Sequence, residues 1–462
     1  MANSYYMHSG IDIAHMPFVK IFDLSIKERI SAHATAYVFG QLDDTADIGF
    51  ILSLNAKSDF KITIKYSSSV EELSPKLVFA GRLKDFELSF NAGKKFIKLN
   101  LISLSYNLDE KADTARFNNP SKKYMNIFKK IVEDIHNGVC LDHVLEPESK
   151  EQGGLIVKYR ETDWQFLKRL ASHAQTVIST KMEDDKIKII VGFPNGGVAD
   201  LDGQLIKKNF HFGTDSTEYI VQSNEYHDLC GKVSFDGETC IITKKTIELR
   251  EGIFVKIYAL SPEDFTVPVE YNHLIAGAAL KGKVTEIDSA RPNYVRVLLN
   301  DDYDGAKDSE WIQVATVYSG EGEGIHGVHV MPEIGAEVSL YFPEAQEKLA
   351  YIASSFHPEA DNENLETHEV KQFDVLGNRF KMETEALKLH TKEDKMAFEM
   401  HKEEGISIVG NDSILMGSNG IELRLNSDLK ITSEKEVEFK TNSSSVLLSG
   451  DVEINATGLV NL

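Results

Sequence analysis

The sequence predicts a mainly β protein built from several domains, and three observations lead to this prediction. Short segments of alternating apolar and polar residues fill most of residues 1–270, a second group spans residues 277–357, and a third continues to Leu462. Amphipathic helical patterns are convincing in two short stretches, between residues 121 and 174. A chain of 462 residues exceeds one compact core and predicts about two to four domains.

Composition and charge exclude several classes of protein. Hydrophobic residues make up 42% and charged residues 26% of the chain, which is ordinary globular usage and argues against a disordered or fibrous chain. The net charge of -22 repels phosphate backbones, so nucleic acid is not an expected partner. The first ten residues lack an export signal, and no apolar run reaches the length of a membrane-spanning helix.

The three cysteines, Cys140, Cys230 and Cys240, form no CxxC pair, and an odd number favours a reducing cytosol over a disulfide framework. Cys230 and Cys240 flank a hairpin-like stretch that contains Asp236 and Gly237. A disulfide or metal role for this pair is therefore geometrically conceivable, and it is the minor alternative.

The first 110 residues predict short strands, including residues 62–66 and 96–101. A helix is then expected to begin at Ser121 as N-cap, to bury one apolar face, and to end at Gly138. A second helix follows in residues 159–171, YRETDWQFLKRLA, where Thr162 and Gln165 form a capping-box pattern. Its buried stripe is predicted to contain Trp164, Leu167, Ala171 and Ala174.

Alternating segments at residues 187–191, 233–235 and 253–258 predict a second β-rich barrel. The letters of the second helix resemble the signature of VgrG hub domains, in which a strand ending in Tyr leads to Asp-Trp-x-Phe-Leu-x-Arg-Leu. In that family two barrels joined by helices form one hub subunit, and three subunits form a ring of pseudo-sixfold character. The resemblance implies such a hub in residues 1–270.

Residues 271–357 contain a predicted hairpin at 283–299, in which Val295, Val297 and Leu299 share one face, and a later strand pair around residues 338–353. Residues 328–338, VHVMPEIGAEV, are similar to a pattern of the oligonucleotide/oligosaccharide-binding (OB) barrel of VgrG and phage spike proteins. The resemblance implies an OB-fold barrel that joins hub to needle.

The sequence argues against two kinds of ligand site at this barrel, one for nucleic acid and one for a metal ion. A single-stranded nucleic-acid site needs a basic groove with aromatic platforms, whereas the glycine-rich loop here carries Glu321 and Glu323. The pair His326 and His329 has helical spacing, but the surrounding glycines and predicted strand argue against a metal site. We expect no metal and no cofactor.

After a polar connector, residues 358–372, the rest of the chain places apolar residues two apart in successive short segments. Each segment buries one face, yet this region supplies no second layer to cover it. Three chains wound around one axis would bury the stripes, which predicts a triple-stranded β-helix needle in residues 373–462. His390 and His401 fall on the polar parity and are expected to face solvent.

The chain ends in an apolar segment without a His-x-His pattern. In the family, needles without a metal-stabilised point commonly carry a separate PAAR-type tip protein. Leu459, Val460 and Leu462 are therefore the predicted docking residues for such a tip, and a simple trimeric plug is the alternative.

The resemblance implies a structural central spike of a contractile injection system, whether phage tail, tailocin, extracellular injection system or type VI secretion. It would be a homotrimer assembled in the cytoplasm, with inner tube, baseplate and tip proteins and in some systems effector cargo as partners, and would contact the target membrane transiently. No Gly-x-Ser-x-Gly elbow, His-Glu-x-x-His helix or persuasive Cys-His pair predicts catalysis. The alternative is a receptor- or glycan-binding tail protein with a β-helical shaft.

Overall fold

A computed structural model divides the chain into two compact units, residues 1–360 and residues 361–462, which are treated separately below. The structure describes residues 11–47, 49, 53, 61–66, 76–134, 139–142, 153–183, 186–194, 197–211, 216–264, 266–291, 293–300, 309–319, 328, 330–356, 370–392, 396–403, 405–409, 436–441 and 443–448. No helix among these residues is long and apolar enough to cross a membrane.

The described part of residues 1–262 contains seventeen strands. They are β1 (Ile11–Ile13), β2 (Phe18–Arg29), β3 (Thr35–Leu42), β4 (Ile62–Tyr66), β5 (Lys76–Asn91), β6 (Lys94–Ser103), β7 (Ala112–Phe117), β8 (Val139–Asp142), β9 (Ile156–Thr162), β10 (Ile178–Glu183), β11 (Lys186–Val191), β12 (Ala199–Asp200), β13 (Gln204–His211), β14 (Ser216–Ser223), β15 (Lys232–Phe235), β16 (Glu238–Arg250) and β17 (Ile253–Pro262).

Twelve of these strands make one sheet, with the order β1-β4-β5-β6-β3-β2-β16-β17-β14-β13; β15 also pairs with β16, and β12 pairs with β15. The sheet supports two separate apolar cores, one beneath β1 to β6 and one beneath β12 to β17. Pairing of β2 with β16, in which Ile26 lies opposite Ile247, joins the two halves. The two predicted β-rich halves thus share a continuous sheet.

Two short α-helices lie between the two halves of the sheet in sequence. Helix α1 (Tyr124–Lys129) continues as a π-helical turn (Lys130–Asp134), and α2 (Asp163–His173) follows β9. The predicted N-cap Ser121 is wrong: α1 begins at Tyr124 with Lys123 in the capping position. The backbone N–H of Ser121 instead donates to Oδ1 of Asn119, so an Asn-initiated turn occupies the residues before the helix. The predicted end at Gly138 lies outside the described residues.

The capping box of α2 is confirmed. The backbone N–H of Gln165 donates to Oγ1 of Thr162 over 3.1 Å, and the backbone N–H of Thr162 donates to Oε1 of Gln165 over 3.2 Å. The predicted stripe is buried as well, in a core that α2 shares with α1, β7, β9, β10 and β11. Cys230 and Cys240 lie in the core beneath β12 to β17 as free buried thiols.

A small barrel follows, made of β18 (Ala279–Ile287), β19 (Tyr294–Leu299), β20 (Ile312–Gln313), β21 (Glu337–Tyr341) and β22 (Tyr351–Phe356), in the order β20-β19-β18-β21-β22. Val295, Val297 and Leu299 all point into its core, which confirms the predicted face. The glycine-rich loop 320–327, with Glu321, Glu323 and His326, and also His329, lie outside the described residues.

The second unit contains a five-stranded antiparallel meander of β23 (Lys371–Val375), β24 (Asn378–Met382), β25 (Ala386–His390), β26 (Ala397–His401) and β27 (Gly405–Val409). A separate hairpin pairs β28 (Val437–Lys440) with β29 (Ser445–Leu448). Strands β25, β26, β27 and β28 coincide with segments predicted from apolar residues spaced two apart, whereas β23, β24 and β29 were not predicted. Together with the twelve-stranded sheet and the barrel, these strands confirm the mainly β fold class.

Candidate functional site

One face of the meander is apolar across all five strands. Strand pairing places Phe373, Phe380, Leu389, Phe398 and Ile408 directly opposite one another in a single row. A neighbouring row on the same face holds further apolar side chains, Met382, Leu387, Met400 and Ile406. The first row lines a groove of about 470 Å³.

This apolar face is open to solvent in the single chain. Phe373 is 49% exposed, and Ile406 is 65% exposed. Among residues 370–392, 396–403 and 405–409 there is no second layer that packs on the face. Contiguous apolar patches of this kind mark interaction surfaces in soluble proteins, so the face is the main candidate site of this chain.

The opposite face of the same strands is charged and internally paired. Lys381 and Lys388 both donate to Glu383, and these hydrogen bonds lower the pKa of Glu383 to about 2. His390 and His401 hold the two oxygens of Glu399 at 2.5 and 2.9 Å, and the hydrogen bond from His401 lowers the pKa of Glu399. The polar face is thus satisfied without a partner.

The two histidines lie on the polar face, as the sequence predicts, but each is only partly exposed and bonds Glu399. Within the described residues, no group of three or more His, Cys, Asp or Glu side chains is arranged to hold a metal ion. The predicted tip-docking residues Leu459, Val460 and Leu462 lie outside the described residues.

A Ser-His-Asp arrangement occurs where helix α2 meets the hub sheet. Nδ1 of His33 lies 2.8 Å from Oγ of Ser105, and Nε2 lies 3.1 Å from Oδ2 of Asp109. The hydroxyl of Thr162 donates to Asp109, and the ring of Trp164 packs against His33 at a centroid distance of 4.2 Å, with the ring planes tilted by 33°. The geometry resembles a nucleophilic triad.

Burial decides against a catalytic role for this arrangement. Ser105 has no exposed surface, and its hydroxyl also hydrogen-bonds Ser103, so no substrate atom can reach Oγ. The hydrogen bonds instead connect the end of β6 to the N-cap of α2. We therefore interpret His33 as a structural residue that holds the helix against the sheet.

His33 should make the stability of the protein dependent on pH. Burial lowers the pKa of His33 below 6.5, against the opposing effect of Asp109. Because the unfolded chain then binds more protons than the native one, this stability is present above pH 6.5 and is lost as the pH falls. We expect the stability difference between the parent and the variant His33→Gln, measured by urea unfolding, to shrink between pH 7 and pH 5.

The exposed Leu274 provides the control, because Leu274→Ala removes no titratable group and should leave the corresponding difference constant over the same range. The shrinkage cannot exceed about 1.4 kcal/mol per unit of pKa shift. An unchanged or growing difference for His33→Gln would mean that this ring is not held neutral by burial.

Comparison with known proteins places these features in context. Residues 280–357 match the family model of the Type VI secretion system/phage-baseplate injector OB domain. No curated protein matches the chain. The E. coli c3393 protein, described as a component of the type VI secretion system with structural similarity to the T4 bacteriophage tail proteins gp27 and gp5, has a similar solved structure. Its TM-score is 0.52 at 15% identity, covering 75% of this chain and 99% of that chain.

Chains from the Francisella PdpA-VgrG complex are similar as well. The half-lidded form gives a TM-score of 0.54 at 9% identity, covering 86% of this chain and 87% of the other. The lidless form gives 0.53 at 9% identity, covering 84% and 93%. At these identities the structures show a shared fold, which with the OB-domain match confirms the resemblance to VgrG and phage tail spike proteins.

Proposed function

We propose that this chain, whose barrel is an injector OB domain of the VgrG and phage tail hub-spike family, is the central spike of a contractile injection system. The spike would cap the inner tube and be driven into the target envelope when the sheath contracts. The observation that carries this proposal is the amphipathic meander of the second unit, which follows the OB domain in sequence and leaves one apolar face uncovered.

Trimer formation is the simplest way to cover that face. Three chains can turn their apolar rows towards a common axis, while the paired charges on the opposite face stay in water. This burial supports the triple-stranded β-helix as the assembled form of residues 373–462. A closed trimer also gives the blunt, symmetric rod that a puncturing device needs.

Two open edges of the hub sheet favour assembly of several copies of the chain into a ring. Among the described residues, β1 and β13 each have a neighbouring strand on one side only, so one sheet ends in two open edges. Edge β13 exposes Ile206 and Phe210 beside Lys207 and Lys208, and edge β1 carries Asp12. Open edges are templates for strand addition, and complementary charges favour pairing between copies.

The remaining partners follow from the same assembly. The tube and baseplate would hold the hub, and a PAAR-type protein would sit on Leu459, Val460 and Leu462 at the end of the needle. The PdpA-VgrG complex, in which a VgrG protein binds a second protein, supports the presence of a further partner or effector cargo. The proteins that match are tail and secretion components, and we propose a mechanical role without catalysis.

Tube capping tests the proposal. The full chain is mixed with the inner-tube protein encoded in the same genome and viewed by negative-stain electron microscopy. We expect additional density at one end of the tubes, attached through the hub. Tubes without the protein should show no such density. Binding to isolated glycans or cell envelopes without any binding to tubes would instead favour a receptor-binding tail protein.

A further inference from the structure

The segment that leads into helix α2 contributes side chains to two different cores. Along the chain, Leu155 and Val157 lie in the core of the OB barrel, together with Val284 and Val297. Ile156, between them, lies in the helical core of the hub. Because successive side chains of a strand point to opposite faces, β9 contributes side chains to the core of the hub on one face and to the core of the barrel on the other.

A buried guanidinium joins the same elements. Arg169 of α2 is 3% exposed and binds Glu161 with two parallel hydrogen bonds, from Nε and Nη2, each 2.8 Å long. Its Nη1 donates to Oε1 of Glu347 in the barrel over 2.8 Å, and Nη2 also donates to the carbonyl of Val157. One side chain therefore connects the hub helix, the shared strand and the barrel.

Hydrogen bonds of Asn118 and Asn272 add further ties between the hub, the barrel and the connection between them. Nδ2 of Asn118 donates to the carbonyl of Val297 over 3.1 Å, and the backbone N–H of Glu310 donates to the carbonyl of Asn118 over 3.0 Å. Nδ2 of Asn272 donates to the carbonyl of Tyr159 over 2.7 Å. These bonds have fixed directions, so they specify one orientation of the barrel, whereas apolar contact alone tolerates sliding.

The charge balance makes Arg169 the central member. Glu161 and Glu347 are 7% and 5% exposed, so two carboxylates are buried around this guanidinium. Arg169 pairs with both in planar, charge-assisted geometry. Removing the guanidinium would leave Glu161 and Glu347 buried without this counter-ion, and moving the barrel away from the hub would return Glu347 to water.

We infer that Arg169, with Glu161 and Glu347, is a positioning residue that locks the OB barrel to the hub, so that the two respond to unfolding and load as one body. Residues 159–171, which resemble the VgrG signature, therefore do more than pack helix α2. Arg169 holds the barrel in one orientation relative to the hub. The two can then transmit force along the protein without bending at their junction.

The two tryptophans allow the inference to be tested in the full chain. Trp164 lies in the hub, and Trp311 precedes β20 of the barrel. In a Trp311→Phe chain fluorescence reports the hub, and in a Trp164→Phe chain it reports the barrel. With Arg169 present, we expect the fluorescence midpoint of each reporter chain to coincide with the midpoint of far-UV circular dichroism of the same chain in urea, because hub and barrel then unfold together.

Arg169→Met, introduced into both reporter chains, should separate the two midpoints. It should also accelerate limited proteolysis of residues 263–272, the connection between β17 and the barrel, by about tenfold, because its backbone is fixed at Asn272 by the bond to Tyr159 and would gain the freedom that cleavage needs when the barrel moves. Glu347→Ala, which changes only the barrel side and leaves the Arg169–Glu161 pair intact, should produce a smaller separation in the same direction. Glu347→Ala also serves as the test if Arg169→Met fails to fold.

Lys158→Met is the matched control. Lys158 is 1% exposed, lies on the same strand β9, and pairs with Asp113 and Asp163, both of which belong to the hub. Its removal takes away an equally buried cation within the hub, so both reporter curves should shift together and keep one midpoint. Coincident curves and unchanged proteolysis in the Arg169→Met or Glu347→Ala chains would overturn the lock.

Discussion

Replacing Phe398 by aspartate is expected to dissociate the assembled protein into monomers. Phe398 lies in the apolar row, opposite Leu389 on one side and Ile408 on the other. Burying one such side chain contributes about 1.5–3 kcal/mol, and a trimer would lose three of them. Three carboxylates near the axis would also repel each other without water to screen them. Analytical ultracentrifugation at micromolar concentration measures the outcome.

The control places the same charge on the other face of the same sheet. Gln372 is exposed, lies next to Phe373 on β23, and faces Lys381 across the strand pair. Gln372→Asp should therefore retain the trimer. A stable trimer of the Phe398→Asp chain, or a parent chain that is a well-folded monomer, would contradict burial of this face at a threefold axis. A β-sheet shaft formed by a single chain would then be the better description.

Replacing Trp164 by alanine is expected to cost about 3–5 kcal/mol of stability in the hub, the usual effect of emptying a large buried site. Trp164 is 4% exposed, packs in the core that α2 shares with α1 and the neighbouring strands, and contacts the ring of His33. The free energy of unfolding of the hub, followed by far-UV circular dichroism in urea, measures this loss. The remaining tryptophan, Trp311, reports the barrel in the same experiment.

Lys168→Ala is the control on the same helix. The Lys168 side chain is 36% exposed and makes a 3.2 Å ion pair with Glu270, so its removal should cost less than about 1 kcal/mol. Equal losses for Trp164→Ala and Lys168→Ala would show that the predicted stripe is not the packed face of the helix.

Local patterns predicted much of the candidate site. Spacing of two residues in the C-terminal region indicates which side chains share a face, and the meander has Phe380, Leu389 and Phe398 in one row. The same reasoning predicted the capping box of α2 because a cap depends on residues only three positions apart. The prediction of Ser121 as N-cap was wrong, because the Asn119 side chain accepts a hydrogen bond from the Ser121 N–H before the helix begins.

Arg169 was missed as a member of a site, although one signal was present in the sequence. The residue occupies the buried side of α2 beside Phe166, and a charge on that side requires a buried partner. Glu161 is close enough in sequence to be suspected. Glu347 is not, because it is 178 residues away and no local pattern links the two.

The sequence by itself determined the mainly β class, the capped signature helix and the division of the C-terminal strands into an apolar and a polar face. These depend on the direction of each side chain relative to its neighbours along the chain, which spacing alone sets. Only the tertiary structure decided that β2 pairs with β16, that β9 contributes to two cores, and that Arg169 reaches Glu347. Such contacts join residues far apart in sequence, and their choice depends on the packing of the whole fold.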